Sequence, residues 1–234
     1  MKKLFAIFFI VFGLINGNAQ AQTLSYIPEN PTRALIIIHG YGGNGRHLSW
    51  MTNRLKKVFP DMALYYPTAP DRAPTGGHQW FVIPTIGEEI KDKSVYDIMV
   101  KDAMRNVSEI NNLVEEIHQD HHISYQKIYV SGFSQGGLMA LLSVLTNPHK
   151  LPIAISFSGV PLLYTPDFTL QMITHKPDIL IMQGDRDHVI PKDSLKMTTE
   201  TLVKAGIEPE VHVIKGMTHQ INQEAFQHAI EFME

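Results

Sequence analysis

Ser134 stands in Gly132-Phe133-Ser134-Gln135-Gly136, a G-x-S-x-G segment. The apolar run Ile128-Tyr129-Val130 before it reads as a buried strand, and the run from Gly137 to Leu145 after it as a helix. Strand, glycine-flanked serine and helix form the context in which a sharp turn lifts a serine hydroxyl off the strand end. The flanking glycines lack β-carbons, so neighbouring elements can close on the turn. A serine hydroxyl is a weak nucleophile near neutral pH. It needs a base that takes its proton and later hands it to a leaving group. Histidine can do both, and an acid must fix its tautomer and stabilise the imidazolium. On such a turn the chain order is serine, acid, histidine, which Ser134, Asp187 and His219 satisfy.

The chain carries twelve histidines, so placement has to decide among them. His219 follows the last predicted strand and precedes the last predicted helix. For the acid, Asp185 and Asp187 compete, with Asp193 behind them. The apolar turn Val189-Ile190-Pro191 would pin the Asp187 carboxylate inward, whereas Asp185 is placed to cap the loop by accepting backbone N–H bonds. Attack on an acyl carbon leaves an oxyanion, which preorganised donors must meet. One is the backbone N–H of Gln135, the residue after the serine. The glycine-rich loop His39-Gly40-Tyr41-Gly42-Gly43 supplies the other, Tyr41 before Gly42. His39 looks like a second base, but at a strand end its imidazole would bond to backbone and brace the loop. His118, Asp120, His121 and His122 invite a metal reading. Adjacent histidines at a helix end rarely converge on one ion, and a solvated helix terminus is the reading adopted.

These groups need a frame. Ala34 to Ile38 is a continuous apolar run, as expected of a parallel strand buried on both faces. Strands are also predicted at 62–66, 153–157, 179–182 and 211–214. Helices are predicted at 47–59, 96–119, 194–205 and 223–232. In the 96–119 helix Ile98, Val107, Ile110, Leu113, Val114 and Ile117 supply the buried stripe. Residues 67–94, rich in proline, glycine and charge, read as a long functional loop. Strands alternating with helices imply an α/β fold whose parallel sheet is covered on both sides. In such a sheet the loops at the strand carboxyl ends converge, so distant residues can meet.

The 234 residues, 44 % of them hydrophobic, suffice for one core, and residues 22–234 are expected to form a single domain. A net charge of −3 gives no electrostatic case for nucleic acid. Lys2 and Lys3, the apolar run Leu4 to Ile15 and Ala19-Gln20-Ala21 read as a secretory leader over residues 1–21, cleaved before Gln22. The apolar run is short for a membrane span, so no stable membrane insertion is expected after cleavage, and a periplasmic or secreted location is. There is no cysteine, hence no lipoprotein anchor, disulfide or thiol chemistry. Nothing in the sequence reports oligomeric state.

From about Ala34 onward the chain resembles the phospholipase/carboxylesterase family of α/β hydrolases, which includes the acyl-protein thioesterases. LIIIHGYGGNG is similar to that family's first strand and oxyanion loop, and GFSQGG to its nucleophile turn. QWF is similar to its tryptophan segment, SFSGVPLL to its S-G-x-x-P turn, QGDRDHVIP to its acid loop and GMTHQI to its histidine loop. The resemblance implies an α/β-hydrolase fold, a mostly parallel central sheet flanked by helices without a large lid domain. It implies Ser134, Asp187 and His219 as triad and Tyr41 and Gln135 as oxyanion donors. It further implies hydrolysis of a small acyl ester or thioester substrate, with an acyl chain of medium to long length, and no cofactor. Trp80, Phe81, Val160, Leu162 and Leu163 fall where an acyl chain would lie. The leader departs from the cytosolic thioesterases and puts a lipidated protein substrate in doubt. Two alternatives remain: a secreted polymer-acting esterase, of feruloyl esterase or polyhydroxybutyrate depolymerase type, and a non-catalytic binding protein on the same fold.

Overall fold

A computed structural model of the chain describes residues 23–84, 94–190 and 193–234. The expected leader and Pro191 lie outside the described residues. A seven-stranded sheet runs in the order β1-β3-β2-β6-β7-β8-β9. Its strands are β1 (Leu24–Tyr26), β2 (Arg33–Ile38), β3 (Met62–Tyr66), β6 (Ile128–Phe133), β7 (Ile153–Phe157), β8 (Asp178–Gly184) and β9 (Glu210–Ile214). Only β1, at one edge, pairs antiparallel; the other neighbours are parallel. The helices are α1 (Thr52–Val58), α2 (Ser94–His121), α3 (Gln135–Thr146), α4 (Ser194–Lys204) and α5 (Gln223–Phe232).

The central strands are mostly apolar because a side chain meets a helix layer whichever way it points. On β2, Ala34, Ile36 and Ile38 join one core with α2 and α3 residues such as Val107, Ile110, Leu138 and Leu142. Leu35 and Ile37 join the opposite core with Leu55 of α1 and Phe226 and Ile230 of α5. Each such side chain contributes about 1.5–3 kcal/mol on burial. α3 is buried from Gln135 through Leu145, as a helix apolar on all sides must be.

Three expectations are corrected. Ile98 is 51 % exposed. It sits two residues past buried Tyr96, roughly 200° round the helix, opposite the stripe through Met99, Ala103, Val107 and Ile110. The helix expected from residue 47 begins later, with a 3-10 turn at Ser49–Met51 and α1 from Thr52. Asn44 diverts the earlier residues into a side-chain-bonded turn, its Oδ1 accepting from Arg46 N–H. The loop after β3 is not bare either: β4 (Asp71–Arg72) and β5 (His78–Gln79) pair antiparallel within it, and residues 85–93 lie outside the described residues.

Among the described residues no helix is long and apolar enough to cross a membrane, and no group of His, Cys, Asp and Glu could hold a metal ion. At the α2 terminus His118 Nδ1 donates to Ile123 O, and its ring stacks on Tyr125 at 4.1 Å.

Candidate active site

Ser134 sits between β6 and α3 with φ 56° and ψ −116°. A non-glycine residue in that region carries about 1–3 kcal/mol of strain, sustained only where surroundings over-determine it. Here they do. Ser134 N–H donates to Phe157 O of β7 at 2.9 Å, and Ser134 O accepts from Val160 N–H and Gly137 N–H. Close approach explains the flanking glycines. A β-carbon on Gly132 would fall 2.0 Å from Gly136 O, and one on Gly136 would fall 2.1 Å from Ile38 O.

His219, on the loop between β9 and α5, reaches the serine. Its Nε2 lies 3.1 Å from Ser134 Oγ and its Nδ1 lies 2.8 Å from Asp187 Oδ2. Before reaction the Nδ1–H donates to the carboxylate, leaving Nε2 free to accept from the hydroxyl. Asp187 is 4 % exposed, and its other oxygen accepts from Val189 N–H at 2.9 Å and Ile190 N–H at 3.0 Å. Burial pushes this carboxyl upward, but the His219 contact and those two N–H bonds outweigh it and hold it below the usual carboxylate range. Asp185 does the capping expected of it: Oδ1 accepts from Gly216 N–H, while Arg186 N–H donates to Met217 O. The acid and histidine loops are thus stitched together. The Phe133 ring lies 4.7 Å from that of His219, a contact between residues 86 positions apart that no local pattern announces.

The loop after β2 abuts the serine: a β-carbon on Gly40 would be 3.1 Å from Ser134 Cβ. Gly42 N–H donates to His78 O at 2.8 Å, so the second-choice oxyanion donor is already engaged. The N–H groups of Tyr41 and Gln135 have no acceptor among the described residues. Both donor segments are clamped by Trp80. Its indole N–H donates to His39 O at 2.9 Å, and its backbone N–H donates to the side-chain oxygen of Gln135 at 3.0 Å. Gln135 Nε2 in turn donates to Phe81 O at 2.7 Å.

The family model for phospholipase/carboxylesterase matches residues 25–234. The chain belongs to the phospholipase/carboxylesterase family. Among similar family proteins, acyl-protein thioesterase 1 of Eremothecium gossypii is 23 % identical over 92 % of this chain and 90 % of its own length. Esterase YpfH of Escherichia coli is 24 % identical over 88 % of this chain and 84 % of its own. The crystal structure of esterase PE8 superposes with a TM-score of 0.80 at 24 % identity, covering 93 % of this chain and 98 % of that one, a likeness of fold.

In this family member the residues expected along an acyl chain are mostly core. Trp80, Phe81 and Leu162 are 0 % exposed, and Val160 is buried. Fully buried side chains offer no surface to an incoming ligand, and Trp80 and Phe81 instead hold His39 O and the Gln135 side chain. Leu163 alone of the five is half-exposed, packed against the core edge. Asn106 was missed. It is buried within the apolar stripe of α2, and its Nδ2 donates to Trp80 O at 2.6 Å. A polar residue at a stripe position was the available signal, since buried amides find partners.

His39 braces the loop as expected. Nε2 accepts from Ala69 N–H at 3.0 Å, which leaves the proton on Nδ1 to donate to Gly40 O at 2.7 Å. Burial lowers its pKa to about 4, against the ordinary 6.5. The neutral form is therefore the folded one. Below pH 6.5 the unfolded chain gains a proton that the fold refuses until about pH 4, so stability falls as pH drops through that window. The group's share is roughly 3 kcal/mol. Urea midpoints at pH 7 and 4.5 should differ by more in the parent than in His39→Gln; equal differences would contradict this.

Proposed function

We propose that the chain cleaves carboxylic esters or acyl thioesters through an acyl-enzyme on Ser134. The observation that carries this reading is one imidazole bonded at once to the strained serine and to a buried carboxylate. Ser134 Oγ attacks the acyl carbon and passes its proton to His219 Nε2. The carbonyl oxygen becomes an oxyanion, which the Tyr41 and Gln135 N–H groups meet. Asp187, held ionised, stabilises the imidazolium. Collapse breaks the bond to the leaving alcohol or thiol, which takes the proton from Nε2. Water then attacks the acyl-enzyme, gives its proton to Nε2 and releases the acid as Ser134 recovers the proton. No cofactor is needed in this sequence of steps.

A fluorophosphonate probe should label the protein stoichiometrically with matching loss of esterase turnover. Absence of labelling would instead favour a non-catalytic binding protein. We also propose removal of residues 1–21 on export; an exported protein whose N-terminus is not Gln22 would contradict it.

The Trp80 clamp carries a separate expectation. Trp80→Phe keeps an aromatic ring, a smaller one, but removes the indole donor to His39 O. Losing an oxyanion donor outright costs about 10²–10³ in kcat; loosening its loop should cost about tenfold. KM should stay within about twofold, and affinity for a trifluoromethyl ketone should fall in parallel with kcat, because that adduct uses the same donors. An unchanged ketone affinity would remove Trp80 from this role.

A further inference from the structure

A cleft of about 310 Å³ opens beside Phe133, the residue before the serine, lined by the loop from His39 to Gly43 and by His47 and Leu48. We infer that this cleft receives the leaving group of the substrate, and that it selects a compact, ring-sized apolar alcohol or thiol. The inference rests on the acyl-enzyme reading of Ser134.

The reaction fixes the direction. When the tetrahedral intermediate collapses, the bond to the leaving oxygen or sulfur breaks and that atom takes the proton from His219 Nε2. It must therefore lie on the histidine side of the serine, and whatever it carries continues away from the acyl carbon there. Phe133 is the wall on that side: its ring touches that of His219 and also lines the cleft. Phe133 and Leu48 belong to the layer packed with α1 and α5, whereas Val160 and Leu163 belong to the opposite layer with α2 and α3. Val160 N–H donates to Ser134 O, so the two layers flank the serine, and the acyl group is left the Leu163 side. The lining sets the class. Leu48 and Phe133 are apolar walls, the loop contributes backbone at Gly40 and Gly43 and the Tyr41 side chain, the His39 ring is already bonded to backbone through both nitrogens, and His47 at the rim is solvent-exposed. Clefts for drug-sized ligands run from about 300 Å³ upward, so this one has room for a ring and not for a long chain as well.

The test uses one acyl group and varied alcohols of similar acidity: methyl, benzyl and naphthylmethyl butyrate, with kcat/KM as readout. Leu48→Trp, which fills the cleft, should lower the benzyl-to-methyl ratio about tenfold, and Leu48→Ala should raise the naphthylmethyl-to-methyl ratio about tenfold. A series of methyl esters of increasing acyl length should keep the parent's slope in both. Should Leu48→Trp fail to fold, His47→Trp at the exposed rim should lower the naphthylmethyl ratio in the same sense. A variant that shifts the acyl-length slope while its alcohol ratios stay within twofold overturns the assignment and gives the cleft to the acyl chain. Alcohol ratios and slope all unchanged also overturn it. No Ser134-dependent turnover of any ester in the parent would fail the underlying reading instead.

Discussion

Ser134→Ala is expected to lower kcat on a p-nitrophenyl ester by about 10⁵–10⁶-fold while KM changes little. The loss is that of the whole triad. Without Oγ, His219 Nε2 has no proton to accept from a nucleophile, and Asp187 has no imidazolium to stabilise. The Tyr41 and Gln135 donors remain, so a residual advantage of about 10³–10⁴ over water should persist. Alanine inherits the backbone of a residue at φ 56° held by Phe157 O and Val160 N–H, so the melting temperature should move by only a few degrees. The same logic makes the triad non-additive: adding His219→Ala to Ser134→Ala should cost almost nothing further. Initial rates measured with active-site-titrated enzyme check both statements, and a serine-less variant retaining a tenth of parental kcat would refute the assignment.

Asp187→Asn should lower kcat by about 10⁴-fold. The mechanism is a tautomer error. The asparagine oxygen can still accept from Val189 and Ile190 N–H, which directs its NH₂ at His219 Nδ1. Nδ1 must then act as acceptor, the ring proton moves to Nε2, and Nε2 meets the serine as a donor that cannot take its proton. Asp185→Asn is the matched comparison. That side chain accepts from Gly216 N–H and does not touch the imidazole, and an amide oxygen can do the same, so kcat should fall less than about fivefold. Equal losses in the two variants would mean that the acid has been misassigned. Asp187 also links stability to pH. Its folded pKa is depressed, so its stabilisation is present above the unfolded carboxylate pKa and is lost as pH falls through the folded value.

The contact of Ser134, His219 and Asp187 was legible because chain order and strand ends are both written in the residues: each follows an apolar run, and sheet topology brings those ends together. β2 and the first half of β6 were legible because Ala34 to Ile38 and Ile128 to Val130 are unbroken apolar runs, as a strand covered on both faces requires. Ile98 misled because it is apolar and near the stripe in number, though not in angle. The β4–β5 pairing could not be read, since strands of two residues carry no period; what holds them to the site is distant, with Gly42 and Gly43 exchanging bonds with His78. Trp80 shows the limit most plainly. A tryptophan in a glycine-rich loop suggests a ligand wall, and nothing local says that its indole N–H is spent on the carbonyl of His39, 41 positions earlier. Side chains whose job is to hold a distant backbone acquire meaning only when both partners are in view.

The central claim is covalent, and mass spectrometry reads it directly. Enzyme turning over a slowly deacylated p-nitrophenyl ester should be acid-quenched within milliseconds, digested and mapped. The account predicts one acyl group per chain, on the peptide bearing Ser134, appearing with the burst of p-nitrophenol and absent from Ser134→Ala. Full turnover with no acylated Ser134, or with the acyl group on another residue, would contradict it.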